Sequence, residues 1–371
     1  MKGWVSKSRI LFLLSSLMLV LAGCGKSNLT ALEPKGEGAD AIFDLMMLSV
    51  IIMVFVGVVV MAIYFFVLIR FRQKKGQEDF IPKQTEGNHF LEVLWTVIPI
   101  LLLVILAVPT VQKTFMLADT TPAEEDKEDA ITIEVTGKQY WWHYNYNGQK
   151  IQTSQDLYIP TGERVYLKLN ASDVIHSYWV PTISGKMDTN PGENTNEMFL
   201  HAYEEGVYYG KCAELCGPSH SLMDFKVIAV SPEEFDQWVS DMQNVDTDAT
   251  PESESAQRGK ELFTEKSCIG CHAVGAGGGA STGPNLANFG DRAKLVGYKE
   301  NTKENLVTWL LDPEKFKPGN KMTGKYGNGN PVNPISEKEA SQIADYLLQL
   351  KPSEITPEDA KSSDSTSEEE K

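Results

Sequence analysis

Near the middle of the chain lies the sequence Cys212-Ala213-Glu214-Leu215-Cys216-Gly217-Pro218-Ser219-His220-Ser221-Leu222-Met223. It places two thiols, an imidazole and a thioether in one short segment. Soft thiolate and thioether ligands beside a histidine select copper. Two cysteines this close can face the same metal centre, and two bridging thiolates can hold two copper ions. The segment therefore predicts an electron-transfer site.

Two simpler interpretations of the cysteine pair exist, a disulfide and a structural zinc site. A disulfide is allowed because the surrounding domain is predicted to be exported. Neither interpretation accounts for the rest of the segment, since zinc rarely recruits methionine and a disulfide needs neither His220 nor Met223. Gly217-Pro218 argues against a helix here, because proline disrupts a helix interior. A loop folded around copper fits better.

An upstream histidine is expected to complete the copper site, and three precede the loop in the same domain: His143, His176 and His201. Copper folds of the cupredoxin kind take one histidine from a distant strand end and the remaining ligands from one loop. His176 lies where an apolar run meets a turn, in Val174–Pro181. This setting ranks His176 first, and spacing alone leaves the other two open.

The loop resembles the binuclear CuA loop of cytochrome c oxidase subunit II, whose pattern C-x-E-x-C-G-x-x-H-x-x-M it matches at every position. The family's upstream histidine stands in an H-S-x-x-V/I-P setting, which matches His176 to Pro181. The resemblance implies that the Glu214 side chain points at a magnesium on the interface with subunit I, and that Asp188 lies near that interface. It implies these copper ligands: His176, Cys212, Cys216, His220, Met223 and the backbone carbonyl of Glu214.

A second metal motif follows, Cys268-Ile269-Gly270-Cys271-His272, the C-x-x-C-H attachment signature of c-type haem. Cys268 and Cys271 would form thioethers with the porphyrin, and His272 would be the proximal iron ligand. Thioredoxin-like chemistry is the alternative, but no βαβ pattern surrounds the motif. His272 is the only histidine after His220, so no second histidine in this part of the chain can bind the iron. The only methionine after Met242 is Met322, which is therefore the candidate distal ligand. His/Met ligation raises the reduction potential.

The surroundings of this motif resemble a small, all-α class I cytochrome c over residues 254–351. Arg258–Phe263 begins its first helix, and Ile343–Leu347 carries its last. The segment Thr282–Leu286 would place a carbonyl on the proximal histidine.

The N-terminus reads as a signal peptide. Lys2, Lys7 and Arg9 precede the apolar run Ile10–Leu21, and the end of the run, Leu21-Ala22-Gly23-Cys24, resembles a bacterial lipobox. This implies a lipoprotein signal peptide over 1–23, a lipid on Cys24 and an exported segment over 24–40. The alternative is a plain signal peptide with an incidental cysteine.

Two apolar stretches, 41–69 and 91–111, are long enough to cross a bilayer. They predict a transmembrane hairpin over 41–111. Its connecting loop, 70–89, is basic, and by the positive-inside rule it is cytoplasmic. The redox domains and the N-terminus then lie on the outer face of a bacterial cell membrane. The basic residues are Arg70, Arg72, Lys74, Lys75 and Lys83.

Glu92 begins the second stretch. A hairpin can be a mere anchor, and an ionisable residue near an interface costs little. Leu91–Pro99 nevertheless resembles the second helix of subunit II, in which this glutamate stands on a proton route into subunit I. The resemblance implies that role for Glu92.

Residues from about 130 to 230 alternate apolar and polar side chains, with Gly and Pro at the turns, within a domain expected over 112–239. Ile131–Val135 and Val165–Leu169 read as half-buried strands, and an all-β, cupredoxin-like Greek-key sandwich fits. We expect a linker over 240–253 and an acidic disordered tail over 352–371.

The net charge of −16 argues against nucleic acid and for basic partners such as an external cytochrome c. A generally acidic exported protein would share that charge.

The stretch Tyr140–Tyr146 is unusually aromatic. Such residues on strands mostly pack a core, but the stretch resembles the one through which electrons reach CuA in the family. That resemblance implies Tyr140, Trp141 and Trp142 as the electron uptake route. Two departures are visible: the family usually has Trp where Tyr140 stands, and commonly has Arg where Glu193 follows Gly192.

Together these features resemble subunit II of a caa-type cytochrome c oxidase, a multidomain chain with a fused cytochrome c. The resemblance implies that an external cytochrome reduces the haem, the haem reduces CuA, and CuA reduces subunit I, which turns dioxygen into water and pumps protons. A quinol oxidase subunit would lack the copper residues, and a copper chaperone would lack the haem. A nitrous oxide reductase needs a β-propeller for which this chain has no room. A stand-alone electron-carrier lipoprotein stays open.

Overall fold

A computed structural model describes residues 12, 14–16, 27–73, 76, 81, 84–122, 130–277, 282–323 and 334–355. Cys24 and most of the predicted signal peptide lie outside the described residues. So do all three lysines on which the predicted orientation rests, Lys74, Lys75 and Lys83.

Two apolar helices form the N-terminal part: α1 spans Glu37–Arg70 and α2 spans His89–Leu117. The side chain of Asn88 caps α2 by accepting hydrogen bonds from the backbone N–H groups of Phe90 and Leu91. Both helices are long and apolar enough to cross a membrane. With 34 residues, α1 is about 50 Å long at ~1.5 Å per residue, against a bilayer core of ~30 Å. Both helices extend beyond the spans expected from the sequence.

The extra length of α1 at its start contacts the folded domain that follows. Glu37 forms an ion pair with Arg164, and its carboxylate lies 2.9 Å from Nδ1 of His201. The preceding residue, Gly36, forms a β-bridge with Ala202. The first turn of α1 is therefore fixed to the β domain.

The β domain is a sandwich of two five-stranded sheets, which confirms the predicted all-β cupredoxin-like fold. The first sheet has the order β3-β2-β1-β5-β8, with β1 Thr132–Lys138, β2 Trp141–Tyr146, β3 Ile151–Ser154, β5 Val165–Ala171 and β8 Asn196–Leu200. The second has the order β4-β10-β9-β6-β7, with β4 Asp156–Pro160, β6 His176–Trp179, β7 Lys186–Thr189, β9 Gly206–Cys212 and β10 Asp224–Val230.

Aromatic side chains from both sheets form much of the core. Trp142, Tyr144 and Tyr146 alternate on β2 and are all fully buried, as the period of two for a strand requires. Tyr178 stacks on Phe225 with ring centroids 4.3 Å apart, and Trp142 meets Tyr178 edge to face at 5.1 Å. Packing therefore explains these three residues of the aromatic stretch.

Helix α3, Pro232–Gln243, packs on the end of the sandwich. A capping box between Ser231 and Glu234 starts it. Trp238 stacks on Tyr158 at 4.6 Å. Because α3 continues to Gln243, the expected domain boundary at 239 falls inside a helix, and the first residues of the expected linker belong to the folded domain.

The C-terminal domain is small and helical, which confirms the fold class expected there. It contains α4 Glu254–Glu265, α5 Lys303–Leu311 and α6 Glu337–Leu347, with a short hairpin of β11 Lys294–Leu295 and β12 Lys299–Glu300. Helices α4 and α6 approach closely at Gly259, where a Cβ would lie 2.0 Å from the carbonyl oxygen of Gln342. Only glycine fits this crossing.

The expected disordered tail is wrong at its start. Residues 352–355 are ordered and cross back to the β domain, where Ile355 joins the hydrophobic core. Tyr158 donates a hydrogen bond to the Ile355 carbonyl at 3.3 Å, and Ser353 donates one to Asp241 on α3 at 2.9 Å. An apolar residue and a serine precede the acidic run, and these make the contacts. Residues 356–371 lie outside the described part of the chain.

Candidate copper and haem sites

The loop between β9 and β10 gathers sulfur and nitrogen atoms into one cluster. Sγ of Cys212 lies 3.8 Å from Sγ of Cys216 and 3.9 Å from Nδ1 of His176. Sγ of Cys216 lies 3.7 Å from Nδ1 of His220 and 3.9 Å from Sδ of Met223. The backbone carbonyl of Glu214 lies 3.3 Å from Sγ of Cys212. Every ligand atom expected from the sequence is thus in this cluster.

The strands of the second sheet create this arrangement. His176 begins β6 and Cys212 ends β9, and these strands pair with Tyr178 opposite Cys212. Met223 immediately precedes β10 and is fully buried. At Gly217, φ is +130°, which other residues rarely adopt, and an added Cβ would lie 2.5 Å from the Tyr140 hydroxyl. This glycine lets the loop turn back on itself and close the cluster.

The two thiols affect each other's ionisation. The hydrogen bond from Cys216 lowers the pKa of Cys212 despite burial, and His176 lowers it further. The same bond raises the pKa of Cys216. Cys212 therefore ionises more readily than Cys216.

His176 is oriented by a carboxylate. Burial alone would lower its pKa, but its Nε2 lies 2.8 Å from Oδ1 of Asp173, and this contact together with Cys212 raises the pKa overall. A hydrogen bond on one ring nitrogen fixes the tautomer and directs the other nitrogen at the metal position. Here Nδ1 faces Cys212.

The geometry distinguishes among the alternatives for the cysteine pair. A disulfide requires sulfur atoms about 2.05 Å apart, whereas these lie 3.8 Å apart as free thiols. Structural zinc takes four ligands, almost always without methionine. Five side chains and a carbonyl surround this cluster, so the donor set fits copper.

The other two upstream histidines lie elsewhere. His143 is on β2, where burial lowers its pKa to about 4, and its ring meets Trp141 edge to face at 5.9 Å. Nδ1 of His201 forms a hydrogen bond with the carboxylate of Glu37 at the start of α1. Neither joins the group of His176, Cys212 and Cys216, whose ligand atoms lie within 4.8 Å of one another.

The outer side of the copper loop is open. The side chains of Glu214 and Asp188 are exposed. Leu215, between Glu214 and Cys216, is 77% exposed.

The C-x-x-C-H motif opens into a large cavity in the C-terminal domain. Cys268, Cys271, His272 and Met322 all line it, together with apolar side chains of the domain core, namely Phe263, Leu286, Leu295, Leu306, Leu310 and Ile343. The two sulfur atoms, the histidine and the methionine expected from the sequence therefore face one space, and its apolar walls fit a porphyrin.

His272, the expected proximal ligand, is held in place. Its Nδ1 donates a hydrogen bond to the Pro284 carbonyl at 2.8 Å, so Nε2 is the free nitrogen. Burial lowers the pKa of His272, which keeps the imidazole neutral and able to bind metal. Gly283 makes room for the ring, because a Cβ there would lie 2.7 Å from Cε1 of His272.

The β domain forms part of the same cavity. Gln139, Tyr140, Trp141 and Gln155 line it from the other side. Tyr140 is 3% exposed and also contacts the copper loop, since its hydroxyl lies against Gly217. The backbone therefore places one residue of the predicted uptake route between the two sites and a second, Trp141, at the cavity, whereas Trp142 lies inside the sandwich core.

Three polar links join the copper loop region to the segment before Met322. Ser219 donates to the Pro318 carbonyl at 2.8 Å. Lys317, buried in the interface, donates to the Tyr140 carbonyl. Lys321 forms an ion pair with Asp173 at 2.8 Å. Sequence reasoning missed these links, because no local pattern announces contacts between domains.

Glu92 lies in the first turn of α2, half exposed, with Oε2 3.5 Å from Nδ1 of His89. An acidic side chain at this position also interacts favourably with the helix dipole. The described residues therefore give it a local structural role besides the expected proton route.

Comparisons with known proteins agree with this architecture. Family models described as "Cytochrome C oxidase subunit II, transmembrane domain", "Cytochrome C oxidase subunit II, periplasmic domain" and "Cytochrome c" match residues 29–112, 147–230 and 256–351. The "Cytochrome c oxidase subunit 2" of Alkalihalophilus pseudofirmus is 50% identical over 353 residues, covering 95% of this chain and 99% of that protein. That of Bacillus subtilis strain 168 is 49% identical over 356 residues, covering 92% and 98%.

Among solved structures, the periplasmic domain of subunit II of cytochrome oxidase (CoxB) of Bradyrhizobium japonicum is 28% identical. It covers 33% of this chain and 94% of that chain, with a TM-score of 0.30.

The chain is thus a membrane protein that combines a cupredoxin domain with a cytochrome c domain. It belongs to the cytochrome c oxidase subunit II family. As such it is a subunit of an oxidase and functions with other oxidase subunits. The copper chaperone and the nitrous oxide reductase are excluded.

Proposed function

We propose that this chain carries electrons into a haem-copper oxidase in two steps, from an external cytochrome c to its own haem c and from there through binuclear CuA to subunit I. Subunit I would reduce dioxygen to water and pump protons. The observation that supports this most directly is the position of the two sites. The sulfur cluster and the C-x-x-C-H cavity lie on either side of Tyr140.

The copper ligands in this proposal are the side chains already gathered in the cluster. Cys212, Cys216, His176, His220 and Met223, with the Glu214 carbonyl, would hold the two copper ions. Copper bound there supplies a one-electron carrier. The β sandwich contributes rigidity, because His176 begins β6, Cys212 ends β9 and Met223 directly precedes β10, and these strands are paired with one another.

In the cytochrome domain, Cys268 and Cys271 would attach the haem, His272 would be the proximal ligand and Met322 the distal one. Haem c supplies the other one-electron carrier. The hydrogen bond from His272 to the Pro284 carbonyl holds the imidazole for this role. Methionine at the distal position favours the higher potential that a donor to copper can use.

The proposed partners follow from the exposed surfaces. Subunit I would cover Leu215, and the Glu214 side chain would bind magnesium at that interface, with Asp188 nearby. The redox domains would lie outside the cell membrane, with Cys24 lipidated. Glu92 would stand at the cytoplasmic side on a proton route into subunit I. The acidic charge of the chain favours a basic external cytochrome as donor.

Electron paramagnetic resonance on the purified, copper-loaded oxidase tests the proposal. We expect hyperfine splitting from one electron shared equally by two copper nuclei. Cys216→Ser should abolish that signal and leave the haem spectrum intact, while Ser221→Ala, an exposed position of the same loop, should change neither. Splitting from a single copper in the unaltered chain would refute the binuclear site. Failure to co-purify with a large haem-copper subunit would count against electron delivery to subunit I.

A further inference from the structure

One carboxylate connects the two ligand loops. Asp173 accepts a hydrogen bond at Oδ1 from Nε2 of His176 and an ion pair at Oδ2 from Nζ of Lys321, both at 2.8 Å. His176 belongs to the copper cluster, and Lys321 directly precedes Met322 of the haem cavity. The bridge from one site to the other is therefore a single side chain.

Asp173 is well fixed for this position. Backbone N–H groups of Gln139 and Val174 donate to its two oxygens at 2.9 Å. Its side chain is 12% exposed. Four donors thus hold one largely buried carboxylate. Three come from the β domain and one, Lys321, comes from the cytochrome domain.

The lysine is equally well tied to the methionine. Asn320 accepts hydrogen bonds at Oδ1 from the backbone N–H groups of Met322 and Thr323, both at 2.9 Å, and donates through Nδ2 to the Lys317 carbonyl at 2.7 Å. Residues 317–323 therefore form a turn held by its own hydrogen bonds. Because these hydrogen bonds hold the turn together, a displacement of Lys321 would also displace Met322.

We propose that Asp173 is a positioning residue that couples the docking of the cytochrome domain to the copper site, through the chain His176–Asp173–Lys321. The inference rests on the proposed function. When the cytochrome domain docks, Lys321 brings a positive charge next to Asp173. This charge determines how strongly the Asp173 carboxylate attracts the ring of His176. The same contact fixes the turn that carries Met322. The orientation of both metal-binding side chains then depends on one ion pair.

The direction of the effect follows from charge. A cation near a metal centre disfavours its oxidised, more positive form, so removing Lys321 should stabilise oxidised copper. It also leaves the negative charge of Asp173 beside the ring of His176 less well balanced, with Lys138 as the remaining nearby cation. Partly exposed ion pairs have modest free energies, which correspond to a roughly two- to fivefold fall in the equilibrium constant for copper reduction.

The test is a set of variants in the purified oxidase, read out by the copper paramagnetic signal and by spectroelectrochemical titration of copper and haem. Lys321→Met should lower the copper reduction constant, alter the hyperfine splitting and weaken the absorption band of methionine-ligated ferric haem. Lys321→Arg should restore all three. Lys315→Met removes an exposed lysine of the neighbouring turn that makes no ion pair among the described residues. It should leave the copper reduction constant, the hyperfine splitting and the haem absorption band unchanged.

A double-variant cycle separates coupling from simple loss of charge. Asp173→Asn keeps an acceptor for His176 but removes the partner of Lys321. If the ion pair is the coupling element, Lys321→Met should have little further effect in the Asp173→Asn background. Additive shifts, or an equal response to Lys315→Met, would overturn the inference while the binuclear signal of the unaltered chain still stands. Absence of that signal would instead overturn the proposed function, and this inference with it.

Discussion

Asp291 should make the stability of the cytochrome domain fall as the pH rises. It ends a short 3₁₀ turn, Phe289–Asp291, and is 8% exposed. Burial raises its pKa to about 7, and the carboxyl of Asp241 adds to the rise, although a backbone hydrogen bond from Ser353 opposes it. It lies where residues 351–355 cross between the domains. Asp291→Asn keeps the shape of the side chain and removes the charge.

The size of the effect follows from the two pKa values. The unfolded chain loses this proton near 3.8 and the folded chain near 7. Between pH 3.8 and pH 7 the folded state binds more protons than the unfolded state, so the free energy of unfolding falls as the pH rises. Above pH 7 the free-energy cost of ionising the buried carboxyl is complete and stays constant. At about 1.4 kcal/mol per pH unit, Asp291→Asn should stabilise the domain by roughly 2 kcal/mol at pH 5 and at most ~4 kcal/mol at pH 8.

Thermal unfolding of the purified oxidase, followed by haem absorbance, measures this difference. One kcal/mol moves the Tm of a domain of this size by about 4–8 °C. We therefore expect Asp291→Asn to raise the Tm markedly more at pH 8 than at pH 5. Asp248→Asn, an exposed aspartate between the domains, serves as the control. An equal gain at both pH values, or a loss at pH 8, would refute the reasoning, because an uncharged side chain can gain only from an unfavourable ionisation.

Three further predictions concern the haem site and the sandwich core. Met322→Ala should leave the haem attached through its thioethers but lower its potential; an unchanged potential in a spectroelectrochemical titration excludes Met322 as ligand. Gly283→Ala puts a Cβ 2.7 Å from the His272 ring and should cost about 1–3 kcal/mol, seen as a lower Tm of the haem domain; Gly277→Ala, with open space around it, is the control, and equal melting of the two contradicts the clash. Trp238→Ala should cost about 3–5 kcal/mol in denaturant unfolding of the β domain, because Trp238 is 1% exposed; a loss below about 1 kcal/mol would show that α3 is not part of that core.

The sequence predicted the fold class, and the side chains expected as copper ligands lie together in the structure. A metal site constrains the identity and spacing of its ligands so tightly that Cys212, Cys216, His220 and Met223 can be recognised within one loop. His176 was harder, because it is 36 residues from Cys212 along the chain, and only its strand-end setting and the family resemblance singled it out. Strand pairing between β6 and β9 brings it to the loop, and spacing along the chain does not encode that register.

The contacts between the domains could not be predicted. Lys321 reads as an ordinary surface lysine and Asp173 as a turn residue, and their pairing depends on how two folded bodies meet. Residues 352–355 read as the start of a polar tail, although Ile355 adds to the sandwich core. Periodicity reports which face of an element is buried. It does not report which partner buries it, so the boundaries expected at 239 and 352 are wrong where the domains meet.

The links from Ser219, Lys317 and Lys321 across the domain boundary have a kinetic consequence. Because the cytochrome and the copper domain share one chain, their encounter is unimolecular, and its equilibrium is independent of protein concentration. Even a flexible tether provides an effective concentration in the millimolar range. A diffusing donor depends on long-range steering that salt screens over about 10 Å. A tethered donor does not depend on such steering. Ionic strength should therefore affect the reduction of the cytochrome domain by an external donor, and not the contact between the cytochrome domain and the copper domain.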